Sequence, residues 1–149
     1  MKAQTLWRAK RMMETTPGVV CHGGVGREEL VEAQLGASLL CYPCDTTRWS
    51  EGFCVSLMEA CAAGLPVLTS GCDAIPEIYE GSVALLPLPI KDEAWVEVAV
   101  DMLRDPDKYA DFTTSGRALA QKHDWPVIAR RWVEMIGQEW QRKYGEAPP

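Results

Sequence analysis

Two glutamates, Glu51 and Glu59, stand eight positions apart around the start of a predicted helix. Glu51 lies just before that start and Glu59 lies two turns inside it, about 80° away around the helix axis. The backbone amides of residues 52–55 are expected in the first turn, where they have no intrahelical acceptors and favour a phosphate. Because carboxylates accept hydrogen bonds from a vicinal diol, the pattern suits a ligand with both hydroxyls and phosphate. The alternative is that both glutamates are solvated helix residues.

Short apolar runs alternate with helical patterns in the part of the chain that surrounds these glutamates. The apolar runs predict buried strands at 19–22, 38–42, 66–69 and 82–86. Such alternation indicates a parallel sheet that is covered on both faces. The predicted fold class is α/β: a partial Rossmann-like parallel sheet of about four strands, flanked by helices. Ligands of such sheets bind beyond the carboxyl ends of the strands, here in the loops after residues 22, 42, 69 and 86.

Helical periodicity and punctuating glycines and prolines define the remaining elements. Helices are predicted over 2–15, 28–35, 53–63, 76–80, 91–104, 106–122 and 125–143. Gly64 is a natural residue to follow the third of them. We expect one incomplete domain over 1–149, with an α/β part over 1–90, C-terminal helices over 91–144 and a frayed tail over 145–149.

Composition excludes several classes of protein. The 149 residues carry a net charge of −6, which argues against a nucleic-acid partner. No apolar run approaches the length of a transmembrane segment, and four basic residues among the first eleven are incompatible with a signal peptide. Without an export signal, the six cysteines are expected to be reduced thiols, which predicts a cytoplasmic location.

A series of motifs in a fixed order resembles the donor domain of a known enzyme family. The series is His22-Gly-Gly-Val25, Glu51-Gly-Phe53, Glu59-Ala-Cys-Ala-Ala-Gly-Leu-Pro-Val-Leu-Thr-Ser70, Ala74-Ile-Pro-Glu77 and Asp124-Trp125. It resembles retaining glycosyltransferases of family 4, which have the GT-B fold, over roughly residues 15–136. The resemblance implies transfer of a sugar from a nucleotide-sugar donor to an acceptor hydroxyl, with neither metal nor cofactor. It also implies an oxocarbenium-like transition state stabilised by preorganised electrostatics.

The resemblance assigns roles to the two glutamates and to their neighbours. Glu51 would be the catalytic first glutamate that faces the transferred sugar, and Glu59 would hold the ribose hydroxyls. The amides around Gly52, Phe53 and Cys54 would meet the diphosphate and the sugar.

A second loop is implied to complete the donor site. Gly23, Gly24 and Val25 would lie near the nucleotide base. His22, at the end of its predicted strand, is a candidate for contact with the base or the sugar, with loop packing as the equal alternative.

Three departures separate this sequence from the family pattern. Cys54 stands where the family usually has glycine, which would narrow the sugar pocket, and Cys44 stands where it usually has serine. No Arg or Lys matches the basic pair that grips the diphosphate in the family, because the chain is expected to lack the two strand–helix units that open the donor domain, the first of which bears that pair. The acceptor-binding N-terminal domain is also expected to lie outside this chain. The strands at 19–22 and 38–42 are then expected to pair directly, to borrow strands from a partner, or to leave an exposed edge. The chain is therefore expected to be a fragment that is inactive alone.

For two cysteines, one histidine and the last helix, the sequence favours a structural role over a functional one. Cys41 and Cys44 have the spacing of a redox or zinc pair, but packed strand cysteines are favoured. A structural role is favoured for His123. The apolar stripe of the last helix is expected to pack in the core, or to be exposed in part and promote self-association. That stripe consists of Trp125, Ile128, Trp132, Met135, Ile136 and Trp140.

A second hypothesis from another functional class stays open at this point. The sequence is also compatible with a non-catalytic nucleotide-binding or protein-interaction module derived from that fold. Self-association is expected through an exposed part of the last helix or an exposed sheet edge. Other doubly wound nucleotide-binding proteins are disfavoured, because the glycine-rich loops that open their helices are absent from the sequence.

Overall fold

The computed structural model describes residues 2–44 and 52–145, which fall into two compact units, Met1–Glu32 and Ala33–Pro149. The first unit contains helix α1, Lys2–Thr15, and the beginning of helix α2, Arg27–Gly36, which ends in the second unit. Thr15 and Thr16 close the last turn of α1, since their hydroxyls donate to the carbonyl oxygen of Met12. Both helices agree with the predicted bounds to within one residue.

The second unit holds a parallel sheet and five helices among its described residues. The strands are β1 (Leu40–Tyr42), β2 (Val67–Ser70) and β3 (Ala84–Leu86). The helices are α3 (Val55–Ala63), α4 (Ile75–Tyr79), α5 (Asp92–Arg104), α6 (Ala110–Lys122) and α7 (Trp125–Tyr144), with a 3₁₀ turn at Pro106–Tyr109. This architecture confirms the predicted α/β class with its C-terminal helices.

The sheet has the order β1-β2-β3, with all pairs parallel. Leu68 of the central strand is aligned with Cys41 on one side and with Ala84 on the other. All four residues of β2 are buried, as expected for a central strand of a sheet covered on both faces. Within the described residues, β1 pairs on one side only and so forms an edge of the sheet.

The predicted strand at 19–22 is wrong, and the described sheet has three strands rather than about four. Val19 and Val20 are 44% and 74% exposed and belong to no strand. A strand needs a neighbour to satisfy its backbone hydrogen bonds, and the described part of the first unit supplies only helices and loops. An apolar run alone therefore over-predicts strands. Direct pairing of the runs at 19–22 and 38–42, one of the expected outcomes, is therefore not seen among the described residues.

Neighbouring residues of β2 belong to two different hydrophobic clusters, because successive side chains of a strand point to opposite faces of the sheet. Val67 belongs to the first cluster, which includes Leu57 and Cys61 of α3 and Tyr79 of α4. Leu68 belongs to the second, which includes Trp95 and Met102 of α5. Helices therefore cover both faces of the sheet, and α3 and α4 lie on the same one.

Two features fix the position of α3. Gly64 ends the helix in the left-handed conformation, φ 74°, as predicted, and its amide donates to the carbonyl oxygen of Cys61. Gly116 lets α6 approach α3, because a Cβ atom there would lie 3.1 Å from the Cys61 Sγ atom.

The apolar stripe of α7 is exposed over much of its length. Trp125 is 80% exposed and Trp132 is 59% exposed, while Ile128 and Trp140 are half-buried. The expectation of core packing is therefore wrong for most of the stripe, because the described elements of this unit leave that face of α7 open. The alternative expectation of partial exposure is confirmed.

Candidate functional site

The three residues before α3, Gly52–Cys54, form a short non-helical stretch that we call the pre-α3 segment. The helix starts at Val55, about two residues later than predicted. The physical reason is Cys54, whose φ of 51° and ψ of 75° place it in the left-handed region. The amides of Gly52, Phe53 and Cys54 consequently precede the first helical turn, which corrects the expectation that they belong to it.

Tyr79 fixes the direction of the peptide groups in the pre-α3 segment. Its fully buried hydroxyl donates to the carbonyl oxygens of Phe53, at 2.7 Å, and of Cys54, at 3.0 Å. In a trans peptide the carbonyl and the following amide point to opposite sides. The N–H groups of Cys54 and Val55 are therefore directed away from the Tyr79 hydroxyl.

These amides lie at the positive end of the α3 dipole. The first-turn amides of Val55 and Ser56 have no intrahelical acceptor by the geometry of an α-helix. Both residues are exposed. Together with the helix dipole, such amides favour an anionic group by about 0.3–1 kcal/mol per charge at an exposed site. The arrangement can thus bind a phosphate.

Phe53 is flanked by two aromatic rings. Its side chain is 41% exposed. The ring centroid lies 6.5 Å from that of Tyr79 and 5.5 Å from that of His123. The Nδ1 atom of His123 lies 3.0 Å from the carbonyl oxygen of Leu119. These contacts agree with the structural role that the sequence favours for His123.

Glu59 lies on α3, four residues after Val55 and so on the same face of the helix, about 6 Å further along the axis. Glu59 is half-buried, and the residues before and after it in the sequence, Met58 and Ala60, are buried. Glu51 lies outside the described residues. The relative placement of the two carboxylates therefore stays a prediction.

Hydrogen bonds tie the carboxyl ends of the three strands together. The Thr69 hydroxyl donates to the Tyr42 carbonyl oxygen at 2.9 Å, and the Cys44 amide donates to the Ser70 hydroxyl at 3.0 Å. The Gly71 amide donates to the Leu86 carbonyl oxygen at 2.7 Å. Because the strands are parallel, the loops after residues 42, 69 and 86 leave the same edge of the sheet, as predicted.

The predicted base-contacting loop lies in the first unit. Gly23, with φ 70°, and its neighbours Gly24 and Val25 are exposed. The His22 Nδ1 atom lies 3.9 Å from a carboxylate oxygen of Glu29, and both side chains are exposed. His22 is therefore not packed in its loop. The grouping of these residues with the pre-α3 segment stays a prediction.

All six cysteines lie in the described part of the chain, and none of them forms a disulfide there. Cys44 is half-buried against the first cluster, but Cys41 is exposed, which corrects the expectation that both are packed. Burial raises the pKa of the Cys61 thiol to about 11, and desolvation also raises the pKa of Cys41. The thiolate form that redox and metal chemistry need is therefore less available at both positions than in a solvated cysteine. Among the described residues, no three His, Cys, Asp or Glu side chains are placed to hold a metal ion.

Tyr79 is the residue that sequence analysis missed. The signal was a tyrosine next to Ile78 in a short helix, since a buried tyrosine generally needs a hydrogen-bond partner. Its partners are backbone atoms 25 and 26 residues away, and no local pattern identifies them.

None of the helices that the structure describes is both long enough and apolar enough to cross a lipid bilayer.

Comparison with known proteins gives consistent matches. Residues 8–119 match the family model described as "Glycosyl transferases group 1". The chain is 30% identical over 112 residues to D-inositol 3-phosphate glycosyltransferase of Streptomyces scabiei, covering 74% of this chain and 24% of that protein. It is 28% identical over 113 residues to MMP alpha-(1->4)-mannosyltransferase of Mycolicibacterium hassiacum, covering 74% and 26%. It is 30% identical over 98 residues to phosphatidyl-myo-inositol mannosyltransferase of Mycobacterium leprae, covering 65% and 25%. The matched regions thus span about a quarter of the length of each relative.

Proposed function

This chain belongs to the group 1 glycosyl transferases, a family of GT-B type, and we propose that it forms the nucleotide-sugar donor-binding portion of a retaining glycosyltransferase. The reaction would move a hexosyl group from a nucleotide sugar to an acceptor hydroxyl. The family match supports sugar transfer, and the pre-α3 segment is the feature that supports donor binding.

The orientation of the pre-α3 peptide groups carries the proposal. The Tyr79 hydroxyl donates to the carbonyl oxygens of Phe53 and Cys54. The N–H groups of the same two peptide units, which belong to Cys54 and Val55, therefore point away from Tyr79. We assign these amides, with that of Ser56, to the diphosphate of the donor. An anion bound there is stabilised by the dipole of α3, and its hydrogen bonds to these amides replace the bonds that the amides make to water.

We assign the two glutamates to the hydroxyl groups of the same ligand. Glu59 lies one turn along α3 from Val55, on the same face, which suits a carboxylate that accepts hydrogen bonds from the ribose hydroxyls. Glu51 directly precedes the pre-α3 segment in sequence and is assigned to the transferred sugar as the catalytic residue. As the donor bond breaks, the developing charge on the diphosphate would be stabilised by fixed amides, without a metal or a cofactor.

Several further properties belong to this proposal. The acceptor would be bound by a separate N-terminal domain, so we expect no sugar transfer by this chain alone. We propose a cytoplasmic location, which agrees with cysteines that form no disulfide. The exposed stripe of α7 and the edge strand β1 are the surfaces through which the isolated chain would self-associate.

Calorimetry with UDP, GDP and their glucose and mannose conjugates tests the donor site. We expect binding by the chain and a loss of at least tenfold in affinity in Glu59→Ala, because the variant removes the acceptor for two ribose hydroxyls. Glu97→Ala on α5 is the matched control, since it removes an exposed helical glutamate from the other side of the sheet. Equal binding by Glu59→Ala would contradict the assigned role. No binding to any of these ligands would favour the alternative, a non-catalytic interaction module.

A further inference from the structure

His123 ends α6 and is held there by a defined hydrogen bond. Its Nδ1 atom lies 3.0 Å from the carbonyl oxygen of Leu119. A carbonyl oxygen only accepts, so Nδ1 carries the hydrogen in either charge state of the ring. This bond favours one orientation of the imidazole, and the packing of the ring against its neighbours holds it there.

That surface includes Phe53 of the pre-α3 segment. The two rings have centroids 5.5 Å apart and planes inclined at 54°, a favourable tilted geometry. Phe53 is separated from His123 by 70 positions in the sequence, so the contact links the turn between α6 and α7 to the start of α3. It is a tertiary contact and does not follow from the local conformation of either segment.

The pre-α3 segment depends on such contacts. Cys54 holds a left-handed conformation, which is unfavourable for a residue with a side chain. Phe53 is 41% exposed, so burial alone does not fix its ring. Tyr79 contacts Phe53 through its ring and holds the backbone through its hydroxyl, whereas His123 provides a second aromatic contact with the Phe53 side chain.

We propose that His123 is a positioning residue for the pre-α3 segment. Through Phe53 it holds the segment in the conformation that presents the amides of Cys54 and Val55. The identity of the ligand, a nucleoside diphosphate, rests on the function proposed above. The link between His123 and the segment does not depend on that function.

The test compares two variants of the 149-residue chain by ¹H–¹⁵N NMR without ligand. His123→Ala removes the ring, and His123→Phe keeps a ring against Phe53 but loses the hydrogen bond to Leu119. In His123→Ala we expect shifted amide resonances at residues 52–55 and loss of the ring-current shift on the Phe53 protons. His123→Phe should restore both. Gln121→Ala, an exposed position on the same helix, should change neither.

The second readout is the affinity for UDP and GDP. Loss of a tilted aromatic pair changes an equilibrium constant by a factor of about 2–10. We therefore expect His123→Ala to bind UDP and GDP about 2- to 10-fold more weakly, and His123→Phe to bind them like the wild type. Unchanged amide resonances at 52–55 in His123→Ala would overturn the proposal. So would a failure of His123→Phe to restore them while the Trp95 indole resonance, which reports on the second cluster, stays native.

Two further outcomes are also decisive. If His123→Ala does not fold, Phe53→Leu tests the same contact from the other side, and unchanged His123 ring protons in that variant would overturn the proposal. If the segment responds as expected but the wild type binds neither UDP nor GDP, positioning by His123 stands and the proposed function fails.

Discussion

Replacing Tyr79 by Phe removes only the hydroxyl oxygen that holds the pre-α3 segment. The ring stays, so the packing of the first cluster and the contact with Phe53 are kept. The variant loses the hydroxyl that donates to the carbonyl oxygens of Phe53 and Cys54. The Cys54 carbonyl still accepts from the Leu57 amide at 3.0 Å, whereas the Phe53 carbonyl loses its bond to the hydroxyl.

The expected cost follows from this difference. Loss of the Tyr79 hydroxyl, which leaves the Phe53 carbonyl without that hydrogen bond, lowers the free energy of unfolding by about 1–2 kcal/mol. For a chain of this length, that cost lowers the melting temperature by about 2–8 °C. We also expect weaker binding of a nucleoside diphosphate, because the peptide groups of the pre-α3 segment are then free to rotate.

Urea denaturation followed by circular dichroism measures the cost. Tyr144→Phe is the matched control, because it removes the same oxygen from a tyrosine that is 53% exposed on α7, and its effect should stay within about 0.5 kcal/mol. A Tyr79→Phe variant that is as stable as this control and binds nucleoside diphosphates with wild-type affinity would show that the hydroxyl does not fix the segment.

Three further predictions concern the core around α3. Gly116→Ala should be less stable than Gly137→Ala by about 1–3 kcal/mol in urea denaturation, because an added Cβ meets Cys61 Sγ at 3.1 Å in the first case and open space in the second; equal stabilities would contradict the close helix contact. Cys54→Gly should be more stable than Cys54→Ala by about 1 kcal/mol, since only glycine adopts φ 51° without cost, and the reverse order would contradict the left-handed conformation. Burial raises the pKa of the Cys61 thiol to about 11, above its unfolded value, so folding favours the protonated form; this stabilisation is complete below about pH 8 and is lost as the pH rises through 11. The unfolding free energy of the wild type should therefore fall by about 2 kcal/mol more than that of Cys61→Ala between pH 8 and 11, and parallel pH profiles would show that the thiol is not buried.

Local sequence signals predicted most of the second unit. Gly64 and the periodic pattern before it located the end of α3, and the apolar run before Ser70 located β2. These elements are determined by their own residues and by the burial of one uniform apolar stretch, which a single sequence displays directly. The apolar run at 19–22 fails for the opposite reason, because a strand also depends on a partner that the run itself does not encode.

The candidate site was predictable in its chemistry but not in its geometry. The glutamate spacing and the motif order identified α3 and its preceding segment. The left-handed Cys54 delayed the helix by about two residues. No local pattern signals this conformation, and the one indication was the glycine that the resembled family usually has at this position. The contacts of Tyr79 and His123 with Phe53 join segments 26 and 70 residues apart, so they emerge only from tertiary packing.

The amides at the start of α3 are the central feature of the proposed donor site, and an NMR titration of the ¹⁵N-labelled chain tests them. UDP or GDP should shift the amide resonances of Cys54, Val55 and Ser56 more than those of any later residue of α3, whereas uridine or guanosine, which lack the diphosphate, should leave them in place. Saturable binding of the diphosphates without a response at these three amides would contradict the donor site at this helix.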